Sequence, residues 1–174
     1  MIGPQTEVTA PNARLLAWLA EHDIDHEVRS HPPTVTARET AAAEGIDPRR
    51  FAKTLGVATA DGRKALVVLD ATDPLDFVRA AHVLDTERVR LLTEEELTEL
   101  APDCDTGTVP PIGELYGVKV YADLAVRDDP EISFHAGSHR YTVHVDRRAW
   151  ERAVGVIYGN LAHEDPTIPA WARS

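Results

Sequence analysis

The pattern of apolar residues predicts an α+β fold: a single domain with a mixed, largely antiparallel sheet flanked by helices. Three observations carry that reading. Apolar runs of strand length recur at 51–57, 65–69, 117–122 and 141–145. Two of them are joined by Asp61-Gly62, a pair that suits a tight hairpin turn. Helix start signals fall between the runs without the regular strand–helix alternation of a doubly wound fold.

The elements follow in order. Residues 1–10 read as a loose lead-in, and 11–22 as a helix with Leu15, Leu16 and Leu19 in one apolar stripe. A strand at 25–30 ends at His31-Pro32-Pro33, because proline cannot continue a ladder. Thr36-Ala37-Arg38-Glu39 fits a capping box, Gly45 closes that helix, and Asp47-Pro48 opens one short turn. The returning strand of the hairpin, Leu66-Val67-Val68-Leu69, is apolar on both faces and should be central. A helix is expected from Asp73-Pro74 to Leu84, a strand at 88–92, and a second capping box at Thr93-Glu94-Glu95-Glu96. Strands at 117–122, 132–135 and 141–145 precede a last helix capped by Asp146. The domain is bounded at 11–155, and 156–174, with Pro166, Pro169 and Trp171, is expected to be a loosely packed tail.

Composition narrows the class. The chain has 174 residues, a net charge of -11 and one cysteine, Cys104. No internal disulfide can form, which suits a reducing cytoplasm. No apolar run is long enough to span a membrane, and the first residues lack the basic start and apolar stretch of a signal peptide. The acidic balance argues against gripping a long nucleic-acid backbone by charge alone, but leaves room for a short contact at an end. Basic residues group at Arg49-Arg50 with Lys53 and at Arg147-Arg148.

Two stretches carry candidate chemistry. In Phe51-Ala52-Lys53-Thr54-Leu55-Gly56-Val57 strand alternation puts Lys53 on the face of Phe51, Leu55 and Val57. An ammonium there either reaches solvent or meets an anion in a pocket. In Gly107-Thr108-Val109-Pro110-Pro111-Ile112-Gly113 the first three residues can offer backbone N–H groups, and Pro110 and Pro111 restrict the backbone around them. Fixed N–H donors suit an oxyanion; a plain surface turn is the alternative. His135 and His139 lack a third metal ligand. Cys104 is either a nucleophile or a small packed residue. Serine-hydrolase, phosphate-loop and dinucleotide fingerprints are absent.

Together these stretches resemble the YbaK / prolyl-tRNA synthetase-associated editing domain family. His31-Pro32, Ala52-Lys53-Thr54-Leu55, Val67-Val68-Leu69, the Gly107–Gly113 loop and Ala136-Gly137-Ser138-His139 come in the family's order. The resemblance implies a barrel-like sheet and a pocket for the aminoacyl 3′ end of tRNA, lined by Lys53, Gly107 and Pro111. It implies hydrolysis of a mischarged tRNA ester, with tRNA for proline carrying a smaller amino acid as substrate class. In that reading Lys53 and Gly107 are catalytic. Thr54, Thr108, Val109, Pro110, Pro111, Gly137 and His139 border the substrate, and neither metal nor organic cofactor is required. The aminoacyl-tRNA 3′ end is the expected partner, with prolyl-tRNA synthetase as a candidate second one. The alternative function is a module that binds the aminoacyl end or a synthetase without hydrolysis. Two positions depart from the family: the helix start Leu75-Asp76-Phe77-Val78 lacks its usual lysine, and His139 stands where members carry lysine or histidine.

Overall fold

The computed structural model describes residues 7–163. The strands form two sheets. The smaller has the order β1-β7-β6, built from β1 (His26–Ser30), β6 (Glu131–Ser138) and β7 (Tyr141–Asp146), all antiparallel. The larger has the order β4-β2-β3-β5-β8, from β2 (Ala52–Thr59), β3 (Lys64–Asp70), β4 (Val89–Leu91), β5 (Lys119–Asp123) and β8 (Ile157–Gly159). The β2–β3 and β2–β4 pairs are antiparallel; β3–β5 and β5–β8 are parallel. A single parallel bridge, Phe51 to Ser133, joins the sheets. The sheet is therefore mixed as expected, but it is not closed, and the barrel-like description is only approximate.

The helices are α1 (Ala13–Glu21), α2 (Ala37–Ala43), α3 (Phe77–Val83), α4 (Glu94–Leu100) and α5 (Arg147–Val154). Their starts follow local chemistry. Asn12, Thr36, Asp76, Thr93 and Asp146 each accept a backbone N–H of the first turn with a side-chain oxygen. Thr93 and Glu96 form the full reciprocal box. Thr36 forms half of one, because the Glu39 carboxylate turns to the Val35 N–H instead.

Strand β3 is central, and its two faces feed two cores. Leu66 and Val68 join Leu15, Trp18, Leu19, Phe134, Val143 and Trp150. Val67 and Leu69 join Val57, Ala80, Leu84, Tyr121 and Leu161. A third cluster packs Phe51 against Ala41 of α2 and Ala71.

Three sequence expectations need correction. The helix expected from Asp73 begins at Phe77. Before it the chain runs extended against 161–163: Leu75 bridges Ala162, the Asp76 N–H donates to Leu161 O, and the His163 N–H donates to Pro74 O. The stretch 156–163 is not a loose tail, since β8 pairs with β5 and Leu161 is fully buried. Asp123 secures it by accepting the N–H groups of Leu161 and Ala162. Pro166, Pro169 and Trp171 lie outside the described residues. The lead-in is tied down at Val8, whose N–H donates to Asp105 and whose carbonyl accepts from Ser138.

Because Leu161 sits in the second core, Leu161→Ala should destabilise the fold by about 2–5 kcal/mol. Chemical denaturation of the two proteins checks this; an unchanged midpoint would mean the segment is peripheral after all.

Candidate functional site

The Gly107–Gly113 loop is held from three sides. Val109 and Ile112 are buried in the first core. The Trp150 Nε1–H donates to Pro111 O at 2.9 Å, anchoring the loop to α5. Gly137, in the irregular end of β6, donates its N–H to Thr108 O at 3.0 Å and accepts the Asp105 N–H on its carbonyl at 3.0 Å. Asp105 is a staple the sequence did not reveal. Its carboxylate also takes the N–H groups of Val8 and His139.

Two glycines are conformational requirements here. Gly107 has φ +81, with open space where a side chain would begin. Gly137 has φ +77, and a Cβ there would meet Asn12 Cβ at 3.0 Å and Cys104 Sγ at 3.2 Å. Both φ values lie in the region that favours glycine.

Of the three expected backbone donors, one is already spent: the Thr108 N–H donates to Asp105 O at 3.1 Å. The N–H groups of Gly107 and Val109 have no acceptor among the described residues. Thr108, Val109, Pro110 and Pro111 are buried and Gly107 is exposed, so the loop shows the surface its glycine end.

Lys53 lies on β2 opposite Leu69, half-buried. Among the described residues nothing hydrogen-bonds or ion-pairs its ammonium. Burial lowers its pKa; Asp73 pulls the other way and Arg38 of α2 adds to the lowering. Thr54, on the opposite strand face, has a buried hydroxyl with no partner among the described residues.

The site residues are linked through Phe51 and His135. Phe51 shares the Lys53 face of β2, and its ring meets the His135 ring edge-on, centroids 5.3 Å apart. His135 in turn lies 6.5 Å from His139. His139 donates its N–H to Asp105, and its Nδ1 is buried with no partner among the described residues. Phe51, His135, His139, Gly137 and the loop thus form one chain of contacts, and Lys53 lies two residues along the chain from Phe51. Gly137 contributes to it as the tie between strand and loop.

His135 is the residue sequence reasoning undervalued, having been weighed only as a metal ligand. Burial depresses its pKa to about 4, with smaller contributions in the same direction from His139 and His31. It is therefore a neutral imidazole near pH 7, able to accept a hydrogen bond on one nitrogen. Among the described residues no group of three His, Cys, Asp or Glu could hold a metal ion. Burial pushes the Cys104 thiol up to about 11, which keeps it protonated and a poor nucleophile.

The end of β3 carries a second perturbed group. Burial raises Asp70 to about 8, helped by Asp129 and Asp73, and burial likewise raises Asp129 to about 6. Asp70 pairs with Ala52, next to Lys53 along β2.

Comparisons with known proteins identify this architecture. The profile of the aminoacyl-tRNA editing domain family matches residues 31–153. The chain belongs to that family. It is 32% identical over 115 residues to the proline–tRNA ligase of Shouchella clausii, covering 66% of this chain and 20% of the ligase. The proline–tRNA ligase of Geobacillus thermodenitrificans is 36% identical over 95 residues, 55% of this chain and 16% of the ligase. The editing domain therefore spans about a fifth of the length of these ligases. Among solved structures, a candidate trans-editing enzyme for prolyl-tRNA synthetase has the same fold, with a TM-score of 0.77 and 24% identity, over 90% of this chain and 100% of that one. Among the described residues of the editing domain, no helix is long and apolar enough to cross a membrane.

The Asp70 carboxyl gives a test of the site's electrostatics. Its folded pKa lies above the ordinary value, so the native state holds a proton that the unfolded chain has lost. That contribution is complete below about pH 4 and disappears as pH rises toward 8. Asp70→Asn should flatten the decline in melting temperature between pH 5 and 8, which thermal melts across that range would detect. Parallel curves for the two proteins would mean that Asp70 is ionised throughout.

Proposed function

We propose that this editing domain is a trans-acting aminoacyl-tRNA deacylase, hydrolysing the ester of a mischarged tRNA, with proline tRNA bearing a smaller amino acid as the substrate class. The observation that carries the reading is a rigid loop whose Gly107 and Val109 N–H groups lack acceptors among the described residues, with a half-buried lysine, Lys53, that has no hydrogen-bond or ion-pair partner among them. Supporting it are the family membership and the kinship with domains of proline–tRNA ligases.

The chemistry is modest in its demands. An aminoacyl ester is already activated, so positioning and charge stabilisation can supply most of the catalysis. Water adds to the carbonyl carbon, and the carbonyl oxygen takes up negative charge. The Gly107 and Val109 N–H groups are the donors for that oxygen. The carbon–oxygen bond to the ribose then breaks. Water's proton passes to the departing ribose oxygen, leaving a free amino acid and a tRNA hydroxyl. Lys53 supplies a compact positive charge to the phosphate or carbonyl end of the substrate. Neutral His135 offers a lone pair to the substrate's ammonium group. No step calls on Cys104.

Lys53→Ala should lose most deacylation of a mischarged-tRNA panel while its melting temperature stays level or rises, because an unpaired, partly buried ammonium is a cost to folding. Lys53→Arg should fail as well, since a planar fork does not replace a point charge in a confined site. Wild-type turnover by Lys53→Ala would sink the catalytic role. A collapsed melting temperature would make the lysine structural.

Gly107→Ala should cost about 1–2 kcal/mol of stability through its positive φ and lower turnover by roughly 100-fold to 1000-fold if the loop loses one donor. Single-turnover kinetics on the folded variant measure this. Full activity would reduce the loop to a turn.

A further inference from the structure

The inference rests on the deacylase reading and adds a residue to its machinery. Thr40 of α2 is fully buried. Its hydroxyl has three polar neighbours: Thr36 O at 2.9 Å, Thr34 Oγ1 at 2.6 Å and His135 Nε2 at 2.8 Å. Thr36 O, which also takes the Thr40 N–H at 3.0 Å, can only accept, and we assign to it the single hydroxyl proton of Thr40. The oxygen then has acceptor capacity for two donors, and two neighbours remain to fill it. One is the Thr34 hydroxyl; the other is an Nε2–H of His135. The reverse arrangement, with Thr40 donating to Nε2, would put the ring proton on Nδ1. That nitrogen has no acceptor among the described residues, so the Nε2–H tautomer is the one whose ring proton has a protein partner, the Thr40 oxygen.

We propose that Thr40 is a positioning residue that locks His135 in the Nε2–H tautomer and so keeps the Nδ1 lone pair bare for the amine of the substrate's aminoacyl group. Other groups around the ring do not set its tautomer. Phe51 meets it edge-on and His139 lies 6.5 Å away. His31, His139 and Glu44 act on it only through their charge. The proton on His135 is thus directed by one hydroxyl on one short helix.

That hydroxyl is not what seats α2. Ala41 packs against Phe51, and Glu44 just past the helix accepts from Thr142 at 2.7 Å. Thr40→Val keeps the shape and removes only the hydroxyl; Thr40→Ser keeps the hydroxyl. The test pairs deacylation kinetics with ring-nitrogen NMR shifts on protein labelled with 15N-histidine, using His135→Ala to assign the signal. Wild type should show His135 as the Nε2–H tautomer. Thr40→Val should let the proton redistribute toward Nδ1 and lower kcat/KM by about tenfold or more, with the fold retained and a modestly lower melt from the lost hydrogen bonds. Thr40→Ser should restore both readouts. A wild-type ring protonated at Nδ1, an unchanged tautomer in Thr40→Val, or full activity of that variant would overturn the proposal. A wild type inactive on every mischarged tRNA would remove the substrate half along with the deacylase reading, while the nitrogen shifts would still decide the Thr40 half.

Discussion

The geometry of the site depends on the two backbone hydrogen bonds that Gly137 makes with the loop, to Thr108 O and from the Asp105 N–H. They extend the edge of β6 into a segment that is otherwise irregular. Once that joint is made, Trp150 and the burial of Val109 and Ile112 fix the far end of the loop. A loop pinned at both ends cannot rotate its unpaired N–H groups away from a substrate, and donors fixed in advance need no reorganisation during reaction. The joint also explains the demand for glycine at 137: the φ is positive, and a Cβ would force Asn12 and Cys104 to give way.

Helix α2 is seated in a different way. Seven residues are too few to be helical alone, and only Thr40 and Ala41 are buried. Its underside meets a polar layer on the small sheet. Glu44, just past the helix, accepts from Thr142 and His144, and Ser133 lies 2.6 Å from His144 Nδ1. Burial pushes the Glu44 carboxyl up, and the hydrogen bonds from His144 and Thr142 more than offset it, holding it below the ordinary range. Such contacts are directional, so they specify one seat for the helix, where apolar packing would tolerate sliding. The same layer contains His135, which ties the placement of α2 to the protonation pattern beside the site.

Much of this was legible in the sequence, for local reasons. The caps at Thr36, Thr93 and Asp146 announce their helices because each satisfies its own first turn. The two-sided apolar run of β3 announces a central strand. The Lys53 and Gly107 stretches were recognisable as motifs. What was missed is long-range. The chain at 156–163 looked like a tail because its partners, Asp123, Asp76 and Leu75, are 35 or more residues away in the sequence. The late start of α3 has the same origin, since Pro74 and Asp76 are held by that returning segment. Asp105 and Thr40 look like ordinary turn and helix residues until tertiary structure supplies His139 and His135.

The distribution of charge bears on how such a site would hold a nucleic-acid end. Despite the net charge of -11, eight of the fifteen arginines are paired with carboxylates among the described residues: Arg14 with Asp103, Arg29 with Glu27, Arg49 with Asp47, Arg63 with Asp61, Arg79 with Asp76, Arg90 with Glu96, Arg140 with Glu7 and Arg147 with Glu151. Arg38 and Lys53 have no such partner among the described residues, and they lie close enough for Arg38 to depress the Lys53 pKa. Asp73 acts on Lys53 in the opposite sense and more strongly than Arg38, so the seam between α2 and β2 carries charges of both signs. An acidic surface elsewhere disfavours extended backbone contact. The combination favours a short anionic contact over an extended one.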